Sequence, residues 1–384
     1  VPPRTGIAAC DTPAALLRLW RDDVDQLLRV VCPVLDAGAR MVASGPAAVR
    51  RELVALAGEE DAATLLTGFH DDSGLASLGP LVGLAKLRSG EIDRGTFART
   101  WGHRCAEEFE ISAPRPAEDP EWVTRQLAAL ADPAELLARQ AKARDEAWTR
   151  FAAAHPKLAR RTRARLTRIG AGARAREQAR SEMVRAFWVM RAFVLRAGEL
   201  TSTGDSLFFL PIDDVLRVLA GETSVLDRVP AQRAAYERYR ALPPYPAVIR
   251  GRFDPESWAA DPDRRSDLYD ETADVPMAAD VTGFPGSAGV VEGVARVLAR
   301  VEDGNSLVQG EILVTTVTNI GWTPLFTRAA AVVTDVGAPL SHAAIVAREL
   351  GIPAVVGCGN ATTRITTGDR IRVDGVRGTV RKVS

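Results

Sequence analysis

Ala330-Ala-Val-Val-Thr-Asp-Val-Gly-Ala-Pro-Leu-Ser-His-Ala-Ala-Ile-Val-Ala-Arg-Glu-Leu350 is the stretch on which the reading of this chain turns. Its apolar run Ala331–Thr334 predicts a buried strand, because strands covered on both faces read as short continuous runs rather than alternations. Gly337 and Pro339 predict a turn, Ser341 a helix N-cap, and Gly351 with Pro353 the end of that helix. His342 therefore falls in the first helical turn. Unpaired backbone N–H groups and the positive end of the helix dipole gather there and favour anions such as phosphate. An imidazole with an ordinary pKa of about 6.5 is mostly neutral at pH 7, and the dipole lowers that value, so the ring is available as a nucleophile. The same position equally suits a histidine that only caps or packs its helix.

Outward from this stretch, the chain after Asp280 keeps the pattern of strands and tight turns: Gly289 to Leu298, Glu311 to Val314, Ala354 to Gly357 and Arg370 to Val373. Short Val and Ile runs bounded by Gly and Asp are strand signals. One clear helix, Ser341 to Leu350, interrupts them, so residues 281–384 are expected to form a compact β/α domain. From Thr12 to about Leu242 apolar residues recur at helical spacing, as in Leu16, Leu19, Trp20, Val24, Leu27, Leu28 and Val31. Breaks are expected at Gly45-Pro46, Gly68, Gly74 to Gly83, Ser112 to Pro120 and Gly198 to Gly204. Residues 1–245 are thus read as a mainly helical domain that holds a substrate. Between them, 246–280 carries Pro246, Asp254-Pro255 and Asp261-Pro262-Asp263 and is read as a linker.

Composition narrows the classes. The 384 residues hold 49 basic and 49 acidic side chains and are 46% hydrophobic, which fits neither a disordered tail nor a globally basic nucleic-acid binder. No run approaches the roughly 20 apolar residues of a membrane helix, and no secretory leader is legible, so a cytoplasmic location is expected. The cysteines Cys10, Cys32, Cys105 and Cys358 are widely spaced and are read as reduced thiols. Only four histidines occur, and no metal site is expected.

The segment Thr334-Asp335-Val-Gly337 … Ser341-His342-Ala-Ala-Ile-Val-Ala-Arg348-Glu-Leu-Gly351-Ile-Pro353 … Gly357 resembles the phosphohistidine segment of the phosphoenolpyruvate-utilising enzymes. The likeness extends through Gly286-Ser-Ala-Gly289-Val-Val-Glu-Gly293, Gly310-Glu-Ile-Leu and Gly321-Trp-Thr-Pro-Leu-Phe326. It implies a C-terminal swivelling β/β/α domain in which His342 carries a phosphoryl group, with Ser341, Thr334 and Gly337 supporting the phosphate. Where such proteins often have a second glycine after Gly337, this chain has Ala338. The run Gly102-His103-Arg104 … Glu107-Glu108-Phe-Glu110 … Pro114-Arg115 … Glu118-Asp119-Pro120 is similar, more weakly, to the central domain of the rifampin phosphotransferase type, with Cys105 in place of a frequent glycine. By that resemblance the phosphoryl group derives from ATP, held with Mg²⁺ on an ATP-grasp domain. No G-x-x-x-x-G-K-[ST] loop occurs here. The expected partner is therefore a separate ATP-grasp polypeptide or an absent segment, and the acceptor a hydroxylated small molecule. Elimination after phosphorylation, a net dehydration, is open. So is a non-catalytic interaction protein that retains only the fold.

His103 with Arg104 and the nearby acids Glu107, Glu108 and Glu110 could supply an acceptor-activating base and anion-binding charge, and His103 and Glu107, four apart, would share one face of a helix. Arg180, Arg185, Arg191 and Arg196 are candidates to meet a phosphate, since guanidinium pairs bidentately with it. The arginines from Arg160 to Arg180 read as a solvated helix surface rather than a nucleic-acid face. His70 beside Asp71 and Asp72 reads as a turn. Trp188 with Phe187 and Val184 reads as core stripe or pocket wall.

Overall fold

A computed structural model describes residues 2–40, 45–67, 77–130, 132–273 and 280–383. The turn expected around His70, with Gly68 and Gly74, lies outside these residues. The architecture is a mainly helical N-terminal region followed by a C-terminal domain built on a mixed sheet.

The spine of the helical region is the 45-residue helix Pro156–Leu200. Its first half packs with helices Gly45–Leu65 and Pro133–Ala154 in a core of Val49, Leu53, Leu65, Ala147 and Phe151. Its second half presents Val189, Phe193, Val194 and Ala197 to Leu16, Trp20, Val24 and Leu207. Those four positions follow the 3–4 spacing of one helix face, which is why this face is buried while the arginines point elsewhere. Gly170 and Gly172 lie inside this helix, and the break expected at Gly198 comes only after Leu200.

The stretch read as a linker has structure of its own. Strand β1 (Val248–Arg250) pairs in parallel with β2 (Leu268–Asp270), and helix Pro255–Ala260 crosses between them. Asp254 caps that helix by accepting from the Ser257 N–H at 2.7 Å, with Pro255 at its start. Tyr245, Phe253, Trp258 and Tyr269 cluster with ring centroids 5.0–6.3 Å apart. The Ser266 N–H donates to Gly359 O at 2.7 Å, tying the module to the C-terminal domain. The prolines and aspartates that suggested bare chain are caps and turns around an aromatic core.

The C-terminal sheet comprises β3 (Val281–Thr282), β4 (Phe284–Ser287), β5 (Val290–Val297), β6 (Ile312–Thr315), β7 (Ala331–Thr334), β8 (Ala354–Val356), β9 (Arg370–Asp374) and β10 (Thr379–Lys382), in the order β3-β10-β9-β5-β6-β7-β8-β4. Strands β5 to β8 run parallel and the flanking pairs antiparallel. Strands β6, β7 and β8 are wholly buried, which explains their unbroken apolar runs. Besides helix His342–Leu350, short helices Thr323–Phe326 and Ala361–Arg364 interrupt the strands, two more than the sequence pattern suggested.

One core crosses the boundary between the regions. Leu78, Leu81, Leu84, Phe97 and Val123 of the helical part pack with Trp322, Leu325, Phe326, Ala343 and Val346 of the C-terminal domain. The phosphohistidine-type segment is thereby docked on the helical region.

Candidate active site

Helix His342–Leu350 buries Ala343, Ala344, Val346, Ala347 and Leu350 and ends at Gly351, whose φ of 67° a side chain would oppose. Ser341 caps its start, accepting from the Ala344 N–H at 3.5 Å. Thr334, fully buried at the end of β7, donates to Val336 O at 3.0 Å. Thr334 therefore shapes the turn from behind, whereas Gly337, Ser341 and His342 line a cleft of about 580 Å³ between the two regions.

The half-buried His342 ring lies between two threonine hydroxyls, Nδ1 being 3.2 Å from Thr318 Oγ1 and Nε2 3.3 Å from Thr323 Oγ1. A hydroxyl both donates and accepts, so the pair holds either neutral tautomer. Phe326 meets the ring edge-on at 6.2 Å. Burial first, then Arg104 and Arg180, push the His342 pKa down to about 3, so the ring is neutral at any physiological pH. Neither threonine is singled out by its spacing; Thr323 is legible only as part of the Gly321-Trp-Thr-Pro stretch.

The facing wall comes from the helical region: Arg104, Glu108, Phe109, Arg176, Glu177 and Arg180. Glu108 accepts from Arg104 and from Arg180, the latter at 3.0 and 3.2 Å. Glu177 accepts from Ser77 and, at 3.2 Å, from Arg176, which also reaches Leu340 O at 3.4 Å. Glu108 was legible only as one of three acids near His103, and Arg176 and Glu177 not at all as site residues, because nothing in the spacing of a charged surface ranks one acid or arginine above its neighbours.

The other expectations are placed differently. His103 and Glu107 do not share a helix face, since helix Arg94–Trp101 has ended. At Gly102 a Cβ would lie 2.4 Å from Ala98 O, and the chain turns instead. His103 is buried against Ser181, Nε2 to Oγ 2.8 Å, and burial and nearby arginines lower its pKa to about 2. Glu107 sits at the surface with Arg240, 3.1–3.2 Å away. Arg185 donates to Arg99 O and Thr100 O, 3.2 and 2.7 Å, closing the end of the Arg94–Trp101 helix. None of these three lines the cleft. Trp188 is core, its Nε1 donating to Glu118 at 2.9 Å. A second hollow of about 640 Å³, lined by Lys142, Asp145, Glu146, Thr149 and Arg150, belongs to one helix and lacks a facing wall. Among the described residues no group of three or more His, Cys, Asp or Glu converges as a metal site, and no helix is long and apolar enough to cross a membrane.

Two consequences are measurable. The segment beside His342 docks through Asn319, whose Nδ2 donates to Ala106 O, and through Gly321, where a Cβ would stand 2.9 Å from Ala106 Cα. Gly321→Val should cost this contact about 1–3 kcal/mol by overpacking. Hydrogen exchange across 318–322 should then accelerate; unchanged exchange would mean that the contact does not hold the regions together.

The second is acid lability. His103 and His342 are neutral in the fold and charged in the unfolded chain below about pH 6.5, which favours unfolding as pH falls. Burial raises the Asp335 pKa to about 6, which opposes them between about pH 6 and 4, where only the folded state binds that proton. From these three groups the difference is about one proton in that window and about two below pH 4, at about 1.4 kcal/mol per pH unit each, and carboxylates held below their ordinary range by hydrogen bonds, such as Asp369, add to it there. Urea melts at stepped pH should show stability falling with this steepening slope.

With this geometry in view, comparison with known proteins places the chain. Residues 307–378 match the family described as the mobile domain of PEP-utilising enzymes. Rifampicin phosphotransferase of Streptomyces sviceus is 31% identical over 338 residues, 83% of this chain and 37% of that protein. Rifampicin phosphotransferase of Bacillus cereus is 36% identical over 53% of this chain and 23% of its own length. The prodigiosin synthesizing transferase PigC of Serratia marcescens is 31% identical over 76% of this chain and 33% of its own. Sheet, histidine helix and cleft thus belong to a mobile domain of this type packed on a helical region. Residues 307–378 carry the mobile domain of PEP-utilising enzymes, and the chain spans little more than a third, at most, of the three relatives named.

Proposed function

We propose that this chain is a phosphotransferase component in which His342 carries a phosphoryl group to a hydroxyl of a small molecule held in the cleft. The observation that carries the reading is one neutral imidazole at a helix start, opening on a cleft whose far wall holds Arg104 and Arg180.

In the first step the lone pair of an imidazole nitrogen forms a bond to phosphorus, and the P–O bond of the nucleotide breaks. ATP and Mg²⁺ reside on an ATP-grasp partner and supply that phosphoryl group. In the second step an acceptor hydroxyl oxygen attacks phosphorus, the P–N bond breaks, and its electron pair returns to the ring, which takes up the hydroxyl proton. Arginines opposite the ring stabilise phosphoryl oxygens in both directions. Ser341, capping the helix, leaves other first-turn N–H groups turned towards the same space. A phosphorylated hydroxyl is a good leaving group, so elimination would turn the same transfer into a net dehydration.

The test is to isolate the ATP-grasp partner by co-purification and supply β-labelled ATP. Label should appear on His342 as an alkali-stable, acid-labile phosphoramidate. A chain that takes up no label would instead be an interaction protein that keeps only the fold.

A further inference from the structure

Glu108 is 3% exposed, and each of its carboxylate oxygens holds a different guanidinium. Oε1 accepts from Arg104, on the loop after Gly102, and Oε2 from Arg180, on the long helix 72 residues further along. Both arginines line the cleft with His342, and both act electrostatically on its ring. Their anchoring is unequal. The Arg104 side chain is 2% exposed, whereas that of Arg180 is 44% exposed, with the Phe109 ring 5.0 Å from its guanidinium. Two like charges brought to one cleft repel, and a half-exposed arginine left alone samples many rotamers. One shared carboxylate answers both problems.

We propose that Glu108 is a positioning residue for phosphoryl transfer, clamping Arg104 and Arg180 into a fork that receives the phosphoryl group carried by His342. The inference rests on His342 being the carrier. Its rival is that Glu108 is merely a negative charge that weakens the positive field of the cleft. The two roles predict opposite signs. If Glu108 positions, removing its charge disperses the fork and weakens phosphate binding. If it is only a bystander, the same change strengthens the field and improves binding.

The probe is potassium phosphoramidate, which phosphorylates the full chain without any partner. The ring lone pair forms the new P–N bond and the old one breaks. The departing nitrogen leaves as ammonia, completed through solvent by the proton lost from the ring. Glu108→Gln should slow labelling of His342 about tenfold. By ³¹P NMR the phosphoryl pKa should rise by about one unit as the cationic fork is lost. Arg180→Gln should do the same, and the double variant should add little, because both substitutions break one unit. Glu108→Asp, with the charge kept at shorter reach, should recover part of the rate.

Unchanged or faster labelling in Glu108→Gln, or a phosphoryl pKa that falls, overturns the proposal. Should that variant melt below the assay temperature, Arg180→Gln decides alone: wild-type labelling there refutes the fork. His342→Ala that still labels like the wild type would instead remove the carrier assignment, so the two failures are told apart.

Discussion

His342→Ala should lower phosphoryl transfer by about 10⁴-fold or more while leaving the fold intact, because it removes the atom that forms the covalent bond. The fold should survive because the ring caps no other structure: its polar contacts are two threonine hydroxyls at 3.2 and 3.3 Å, and Ser341 supplies the helix cap. His342→Asn should be equally inactive, which would show that size and hydrogen bonding do not substitute for the nucleophile. In the wild type, the rate should show no inflection from His342 between pH 5 and 8, since its pKa lies near 3 and the ring is already neutral. An ordinary histidine would lose nucleophilicity below about pH 6.5. An inflection there that vanishes in the variant would contradict the site as described. Residual labelling above background in His342→Ala would place the phosphoryl group elsewhere.

Arg115→Ala should destabilise the helical region by about 2–4 kcal/mol, because a buried guanidinium that donates four hydrogen bonds is lost, at about 1–3 kcal/mol for each buried acceptor left unmade. Arg115 is fully buried and donates to Cys105 Sγ, Glu107 O at 2.9 Å, Glu108 O at 3.0 Å and Glu110 O at 3.2 Å. Its own N–H bonds Glu118 at 3.2 Å. One guanidinium thus organises the whole loop that brings Arg104 and Glu108 to the cleft. Removing it takes that donor from Glu108 O and Cys105 Sγ and one of two bonds each from Glu107 O and Glu110 O, so melting temperature and phosphoryl transfer should fall together. Arg115→Lys should rescue little, because an ammonium cannot span acceptors arranged around a planar fork. A variant that melts like the wild type would show that the loop is held by its neighbours instead.

The positions of these residues show where sequence reasoning reached and where it stopped. A buried strand, a turn and a capped helix form within 21 residues, and each piece depends on neighbours in the chain; that is why the setting of His342 was legible. Local rules misjudged Glu107 against Glu108. Helical spacing paired His103 with Glu107, but the helix ends at Trp101, two residues before His103. The turn then aims Glu108 inward and leaves Glu107 to Arg240 at the surface. Arg185 is likewise drawn away by helix-end carbonyls that only the packing of two distant helices brings within 2.7–3.2 Å. In 246–280 the caps and prolines were visible, but the four aromatic rings that make a module of them are spread over 25 positions, from Tyr245 to Tyr269.

By itself, the sequence determined the helical and strand-rich regions and the helix start under His342, which follow from periodicity and capping that act over a few residues, whereas the lowered pKa of the ring comes from burial and from Arg104 and Arg180, which only the packing brings to it. Only the tertiary structure decided which arginines and acids face that ring, because Arg104, Glu108, Arg176 and Arg180 meet His342 across a cleft closed by a core shared between regions far apart in the chain. Contacts of that range depend on how whole surfaces fit, and no local pattern encodes them.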